Sequence, residues 1–396
     1  GMDDLLCQLR WAWVGAKDDV LAKTGLLARL RTVIEHVMTV LRELRGIVLM
    51  APYALRSNRA RQGASNRGEI EEVQYGPSAE TNKMDVYSPS AAATDSSLSA
   101  ETGTTPPVVL LCYGGIWTTG GRDLYAPLAC RLAEEGVVVY VMDYTLFPST
   151  TVPAMVEEVQ SAMRFVREHH PRGASDVSVL AHSAGSHLCA EALVRSVAAG
   201  EAATVAPDVF IPMCGVFDVA THFAFECARG VGALSTMRPA MGGEGCFDRH
   251  SPALLLGDIV SGDDAEQRRR IAEEFPPTVL ISSTNDPTVP TSQSRAFHSV
   301  LESAGAHAVH LEYEAVEHHE FVTAWHPRGG TPGNKPAWFG EPYFPFPHAD
   351  TEIMVPHHDV LSLVTRRVDP KALKRRTYRQ PQRATAAHMK RPMIRW

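Results

Sequence analysis

The sequence predicts an α/β fold in which a mostly parallel central sheet carries helices on both faces. Two observations lead there. From residue 108 onward, short apolar runs alternate with segments of helical period in the order strand, helix, strand, helix, strand, the arrangement that wraps a parallel sheet on both sides. The chain is also long enough, at 396 residues and 44% hydrophobic, to bury a large core as one domain with additions at both ends. The expected division is an N-terminal amphipathic segment over 1–65, the main domain over 66–368 and a basic tail over 369–396.

The first element is helical. Leu27, Leu30, Ile34, Val37, Leu41, Leu44 and Val48 recur at spacings of three and four between Leu26 and Met50, one face of a helix. Glu35, His36, Arg42, Glu43 and Arg45 interrupt it, leaving less uncharged length than the roughly 18 to 20 residues a bilayer span needs. It is expected either to pack on the main domain or to lie in a membrane interface. Gly1 ahead of Met2 carries no weight in the fold argument, and with Asp3 and Asp4 at the start and no basic stretch before an apolar core, no secretory leader is expected.

"EEVQY" and "KMDVY" read as two strands, and 88–107, "SPSAAATDSSLSAETGTTPP", as a loop too poor in apolar bulk to pack. "VVLLC" (108–112) and "VVVYVMDY" (137–144) are apolar enough for buried strands, with a helix between them from Tyr125 to Glu135 that Gly136 ends. Pro153 opens a helix whose Met155, Val156, Val159, Met163 and Val166 share a face. Strands at "VSVL" (177–180), "VFIPM" (209–213), "PTVLIS" (277–282) and "AVHLEYE" (308–314) follow, with a helix from Ser292 to Ala304 before the last.

Chemistry concentrates at "AHSAG" (181–185), between the strand "VSVL" and the helix-forming "SHLCAEALVR". Small residues on either side of a serine let strand and helix approach and push the hydroxyl outward; the same small residues also suit an ordinary bend. G-x-S-x-G places glycine at both ends, whereas Ala181 stands at the first position here. A serine hydroxyl is a poor nucleophile at neutral pH, so a hydrolase sets it beside a base and opposite hydrogen-bond donors.

Further segments carry a family resemblance. "YGGIWTTGGRD", at the end of the first central strand, resembles the H-G-G-x-W loop of esterases and arylformamidases of the α/β-hydrolase fold, with Tyr113 in place of the histidine. Together with "YGPSAETNKMDVYSP", "DYTLFP", "AHSAGSHL", "GVFDVATHF", "HSPALLL", "TNDPTVP" and "EHHEF" followed by "HPRGG", it makes residues 70–330 similar to the isoprenylcysteine methylesterases. Arylformamidases and general short-chain carboxylesterases share part of that pattern, and a non-catalytic binding protein on the same scaffold is a further reading.

The resemblance implies an α/β-hydrolase fold with a small cap at about 216–275 and a serine esterase forming an acyl-enzyme. Ser183 would be the nucleophile. The fold's chain order of nucleophile, acid, histidine points to Asp286 in "STNDPTVP" and to His318 or His319 in "AVEHHEF". The family's Tyr-Glu-Gly-x-x-His pattern, laid on "YEAVEH", selects His318, and Asp218 in "GVFDV" is the rival acid, read as structural. Backbone N–H groups of Gly114, Gly115 and Ala184 would form the oxyanion hole, the alternative for the glycine pair being a tight turn. "THFAF" and "STMRPAM" in the cap would line an apolar groove for the isoprenoid. The implied chemistry needs no metal or organic cofactor; His357, His358 and Asp359 are read as a surface loop rather than a metal site.

Composition sets the surroundings. Seven cysteines, several within apolar patterns, and the absence of any N-x-S/T sequon favour a reducing compartment, hence the cytoplasm or the cytosolic face of a membrane. The net charge of −7 hides nine Lys and Arg, and no acid, in residues 371–396, leaving about −16 on the remainder. That tail is expected to be disordered and solvated, or to touch an acidic lipid surface or another protein. The expected partner is a small-molecule or prenylated-protein ester; no nucleic-acid partner is expected. The insert at 328–350, rich in Pro and aromatic residues, reads as an ordered surface loop near His318.

Overall fold

The computed structural model describes residues 2–89, 105–173, 176–314, 316–325, 355–365, 369–373 and 376–378. The 328–350 insert and most of the basic tail lie outside them.

Buried β-branched runs build the sheet. Strands β1 (Ile70–Gln74), β2 (Lys83–Tyr87), β3 (Val108–Cys112), β4 (Val138–Met142), β5 (Val177–His182), β6 (Val209–Met213), β7 (Thr278–Ser283), β8 (Ala308–Tyr313) and β9 (Arg376–Tyr378) lie in the order β1-β2-β4-β3-β5-β6-β7-β8-β9. The β1–β2 and β2–β4 pairings are antiparallel and every other pairing is parallel. Strands β3, β5, β6 and β7 are buried at every position, as strands covered on both faces must be. The strand order reverses at β3, which pairs with β4 on one side and β5 on the other. Loops leaving the carboxyl ends of β3 and β5 therefore border the crevice where open α/β sheets place their sites.

Helices α3 (Ala126–Ala133), α4 (Val152–His169), α5 (Ala184–Ala198), α6 (Val219–Ala228), α7 (Pro252–Ser261), α8 (Ala265–Glu274), α9 (Ser292–Ser303) and α10 (Val355–Val364) accompany the sheet. The apolar stripe expected on α4 is the one it buries, Met155, Val156, Val159, Met163 and Val166. The helix expected from Tyr125 starts one residue later, after a 3₁₀ turn over Arg122–Tyr125.

The N-terminal region extends beyond the periodic segment. Helix α1 (Met2–Ala22) precedes α2 (Leu26–Asn66), which runs through Pro52 for 41 residues. The second half of α2 is anchored to the domain: Tyr53 Oη and Ser57 Oγ donate to the Leu124 carbonyl, and Arg61 grips the fully buried Asp85 on β2 at 2.5 and 2.9 Å. Helix α1 docks through Gln8, whose amide donates to the Thr118 and Phe147 carbonyls. Gly15 makes a close approach, since a Cβ there would sit 2.0 Å from the Ala233 carbonyl oxygen. The first half of α2 remains exposed, with Leu26, Leu27, Ile34 and Met38 each more than half accessible. No helix among the described residues is long and apolar enough to cross a membrane.

Two expectations are corrected. The stretch read as a disordered tail contributes β9, three residues in parallel register with β8 (Leu311 opposite Arg376, Tyr313 opposite Tyr378); the unpaired backbone groups of an open strand edge accept a short segment that has no apolar pattern of its own. His357 is not on a surface loop: it sits buried in α10, stacked on Trp325 with 4.3 Å between ring centroids and with Nε2 3.1 Å from the Glu320 carbonyl. Asp359 accepts a 2.6 Å hydrogen bond from Tyr313. The side chain of His358 lies outside the described residues.

Candidate active site

Ser183 sits where β5 ends and α5 begins, with φ 53° and ψ −120°, a backbone conformation that a non-glycine residue holds only under constraint. The constraint is visible. Ser183 N–H donates to the Met213 carbonyl at 2.9 Å, and its own carbonyl accepts from His187. Gly185 lets α5 close onto β3, because a Cβ there would meet the Cys112 and Tyr113 carbonyl oxygens at 2.4 and 2.5 Å. The methyl of Ala181 is accommodated within the sheet, between Cys112 and Pro212 in the neighbouring strands.

Asp286 and His318 arrive from the loops after β7 and β8. Ser183 Oγ lies 3.0 Å from His318 Nε2, and His318 Nδ1 lies 2.7 Å from Asp286 Oδ2. The other Asp286 oxygen accepts from the Thr288 and Val289 N–H groups at 2.8 and 2.9 Å. Burial alone would raise the Asp286 carboxyl; the hydrogen bond and charge of His318, with those two N–H groups, outweigh it and hold the group below the usual carboxylate range. The carboxylate consequently orients the imidazole with Nδ1–H toward itself and Nε2 bare toward the hydroxyl.

The competing residues fall elsewhere. Asp218 caps α6, accepting from the Thr221 N–H at 2.9 Å and its hydroxyl at 2.6 Å. His319 faces Glu317 at 3.8 Å.

The glycine loop after β3 presses on the serine: a Cβ on Gly114 would lie 2.7 Å from Ser183 Cβ, and one on Gly115, at φ 143°, would lie 2.0 Å from the Thr119 carbonyl oxygen. The Gly114 N–H does not point to an open site as expected. It donates to Tyr125 Oη at 3.0 Å, because the 3₁₀ turn brings that hydroxyl under the loop. The N–H groups of Gly115 and Ala184, the first residue of α5, donate no hydrogen bond among the described residues.

Sequence reasoning left three neighbours unassigned. His182 lay inside the quoted pentapeptide without a role, and Tyr125 was read only as the start of a helix. Cys214, at the end of β6 with φ 48°, sits beside the acid: its Sγ lies within 4.8 Å of the Asp286 and His318 ligand atoms. Burial and the neighbouring Asp286 push its thiol well above the ordinary range. Although Cys, Asp and His are metal-ligand types, both Asp286 oxygens are already engaged by His318 and backbone N–H groups, so the trio reads as an acid–base pair with an adjoining thiol.

A cavity of about 730 Å³ lies behind the glycine loop, walled by Arg61, Arg122, Asp143, Thr145 and Phe147. A second, of about 430 Å³, opens between α1 and the segment carrying Arg238, with Trp11, Val14, Phe147 and Pro239 in its walls.

A family model described as alpha/beta hydrolase fold matches residues 109–322. Among curated proteins, the chain is 27% identical over 261 residues to the isoprenylcysteine alpha-carbonyl methylesterase of Arabidopsis thaliana, covering 63% of this chain and 56% of that protein. It is 28% identical over 267 residues to the esterase LipQ of Mycobacterium tuberculosis, covering 65% and 58%. A probable isoprenylcysteine alpha-carbonyl methylesterase of Oryza sativa subsp. japonica is 28% identical over 274 residues, covering 67% and 61%. The chain thus spans little more than half the length of the curated relatives it matches. The resemblance noted in the motifs and these likenesses agree.

Proposed function

Because the chain belongs to the alpha/beta hydrolase fold family, we propose that it is a carboxylic ester hydrolase working through a serine acyl-enzyme, with prenylcysteine methyl esters as its substrate class. The observation that carries this reading is the hydrogen-bonded chain from Ser183 through His318 to Asp286.

In this mechanism His318 Nε2 takes the Ser183 proton as Oγ attacks the ester carbonyl, and Asp286 holds the ring and favours its charged form. The developing oxyanion is bound by the N–H groups of Ala184 and Gly115, the former at the positive end of α5; one such donor is typically worth about 10²–10³ in rate. Gly114, whose N–H is given to Tyr125, supports the loop instead. Methanol leaves with a proton from His318, and water activated by the same base releases the acid.

The methyl-ester substrate is supported by the relatives named methylesterases. We assign residues 216–275 to the cap that lines the groove, and the exposed apolar side chains of α2, Leu26, Leu27, Ile34 and Met38, to contact with the cytosolic face of a membrane. The relative named only as an esterase supports a second reading, a general carboxylesterase.

Hydrolysis by wild type and Ser183→Ala of farnesylcysteine methyl ester, a short p-nitrophenyl ester and N-formylkynurenine separates the readings. Preference for the farnesyl ester, lost in the variant, is the expected result. Preference for the short ester or the formyl amide moves the substrate class, and no Ser183-dependent turnover of any of the three overturns the hydrolase reading.

A further inference from the structure

A buried run of three hydrogen bonds passes beneath the candidate site without including any of its reacting atoms. Gly114 N–H donates to Tyr125 Oη at 3.0 Å, Tyr125 Oη lies 3.0 Å from His182 Nδ1, and His182 Nε2 lies 3.0 Å from the carbonyl oxygen of His318. Tyr125 and His182 are each about 6% exposed, so water does not compete for these groups and each proton has one place to go.

The direction of every bond follows from the chemistry of its ends. A peptide carbonyl only accepts, so His182 Nε2 must carry hydrogen. A neutral imidazole then leaves Nδ1 bare, able to accept the Tyr125 hydroxyl proton, and that hydroxyl oxygen keeps a lone pair for the Gly114 N–H. The ring is neutral because burial, followed by the adjacent His318, lowers it to about 3. His182 and His318 also pack ring to ring, with centroids 4.7 Å apart. The arrangement is fully satisfied with a single tautomer, and any other leaves a buried donor or acceptor unpaired.

We propose that His182 is a positioning residue for acyl transfer: it ties the backbone of His318 to the loop carrying Gly114 and Gly115, so that base and oxyanion donors are held around Ser183 as one unit. This rests on the hydrolase reading above. The covalent chain already fixes His182 beside Ser183, and the two hydrogen-bonding edges of its ring reach the two loops that must be placed relative to that serine. One edge sets the base, and the other sets the donors through Tyr125. A misplacement of about 1 Å between such groups costs on the order of 10²-fold in rate.

The test compares the full chain with His182→Gln, His182→Asn and His182→Phe. Glutamine can return an N–H to the place of Nε2 and keep the bond to the His318 carbonyl. Asparagine can replace only the acceptor at Nδ1, and phenylalanine fills the space with neither. The readouts are kcat and KM on a p-nitrophenyl ester, the rate of phosphonylation by a fluorophosphonate, and the thermal midpoint.

The expected result is kcat and phosphonylation lowered about 10²-fold in the Asn and Phe variants with KM within about threefold, and glutamine restoring both to within about tenfold of wild type. If the Phe variant does not fold, the Gln and Asn pair decides the matter. Equal losses in Gln and Asn, losses that simply follow the thermal midpoint, or no loss above about threefold would overturn the proposal. Wild type that is never phosphonylated overturns the hydrolase reading instead, which keeps the two failures apart.

Discussion

His318 Nδ1 and Asp286 Oδ2 lie 2.7 Å apart although 32 residues separate them in the chain. The two loops that carry them leave adjacent parallel strands, β7 and β8, at the same end, so the pairing is a consequence of the sheet. Asp286 is nearly enclosed, and its remaining oxygen is occupied by backbone N–H groups.

Asp286→Asn is expected to preserve the loop, since an amide oxygen still accepts from Thr288 and Val289, while lowering kcat by about 10³–10⁴ through the wrong imidazole tautomer. Asp218→Ala, by contrast, removes a helix cap and should cost about 1 kcal/mol of stability with kcat unchanged. Steady-state kinetics and urea unfolding of the two variants check the contrast; equal activity losses would make Asp218 part of the catalytic machinery.

Stability is expected to fall on acidification from about pH 6.5 toward pH 3. Burial holds both His182 and His222 at about 3 in the folded chain, and His318 opposes their protonation further. The unfolded chain, with ordinary histidines near 6.5, takes up protons that the folded chain refuses, so each residue contributes up to about 1.4 kcal/mol per pH unit in that window. Asp286, lowered in the folded state, adds to the loss below about pH 4. Urea midpoints between pH 7 and pH 4 measure the slope, and His222→Gln should flatten it by one histidine's share.

Gly185→Ala should destabilise the protein by about 2–3 kcal/mol, because the added methyl meets two backbone oxygens that cannot move without parting α5 from β3. Gly245→Ala, where nothing lies within 4 Å, should stay within about 0.5 kcal/mol. Denaturant unfolding of both variants provides the comparison.

What could be read from the sequence follows from how local each signal is. Strands β3, β5, β6 and β7 announce themselves because a strand covered on both faces must be apolar throughout. The small residues around Ser183 mark a tight strand-to-helix turn in five consecutive letters. Helix α2 was only half legible: its apolar periodicity ends at Met50, yet the helix continues through Pro52 because Tyr53, Ser57 and Arg61 are anchored beyond it. Strand β9 escaped notice because its pairing is set by the open edge of β8 and not by any apolar pattern in its own three residues.

The site was legible to a comparable degree. Chain order placed serine, acid and histidine, but it could not say that Tyr125 would claim the Gly114 N–H, since that depends on a 3₁₀ turn eleven residues away. His182 and Cys214 stayed silent for the same reason: a buried histidine and a buried thiol acquire meaning only when their partners in space are known.

The most direct test of the central claim, that Ser183 is the nucleophile, is the intact mass of wild type and Ser183→Ala after exposure to a fluorophosphonate. One phosphonyl adduct on wild type, mapped to the peptide containing Ser183 and absent from the variant, is the predicted result. Folded wild type that takes up no adduct, or a variant labelled equally well, would contradict it.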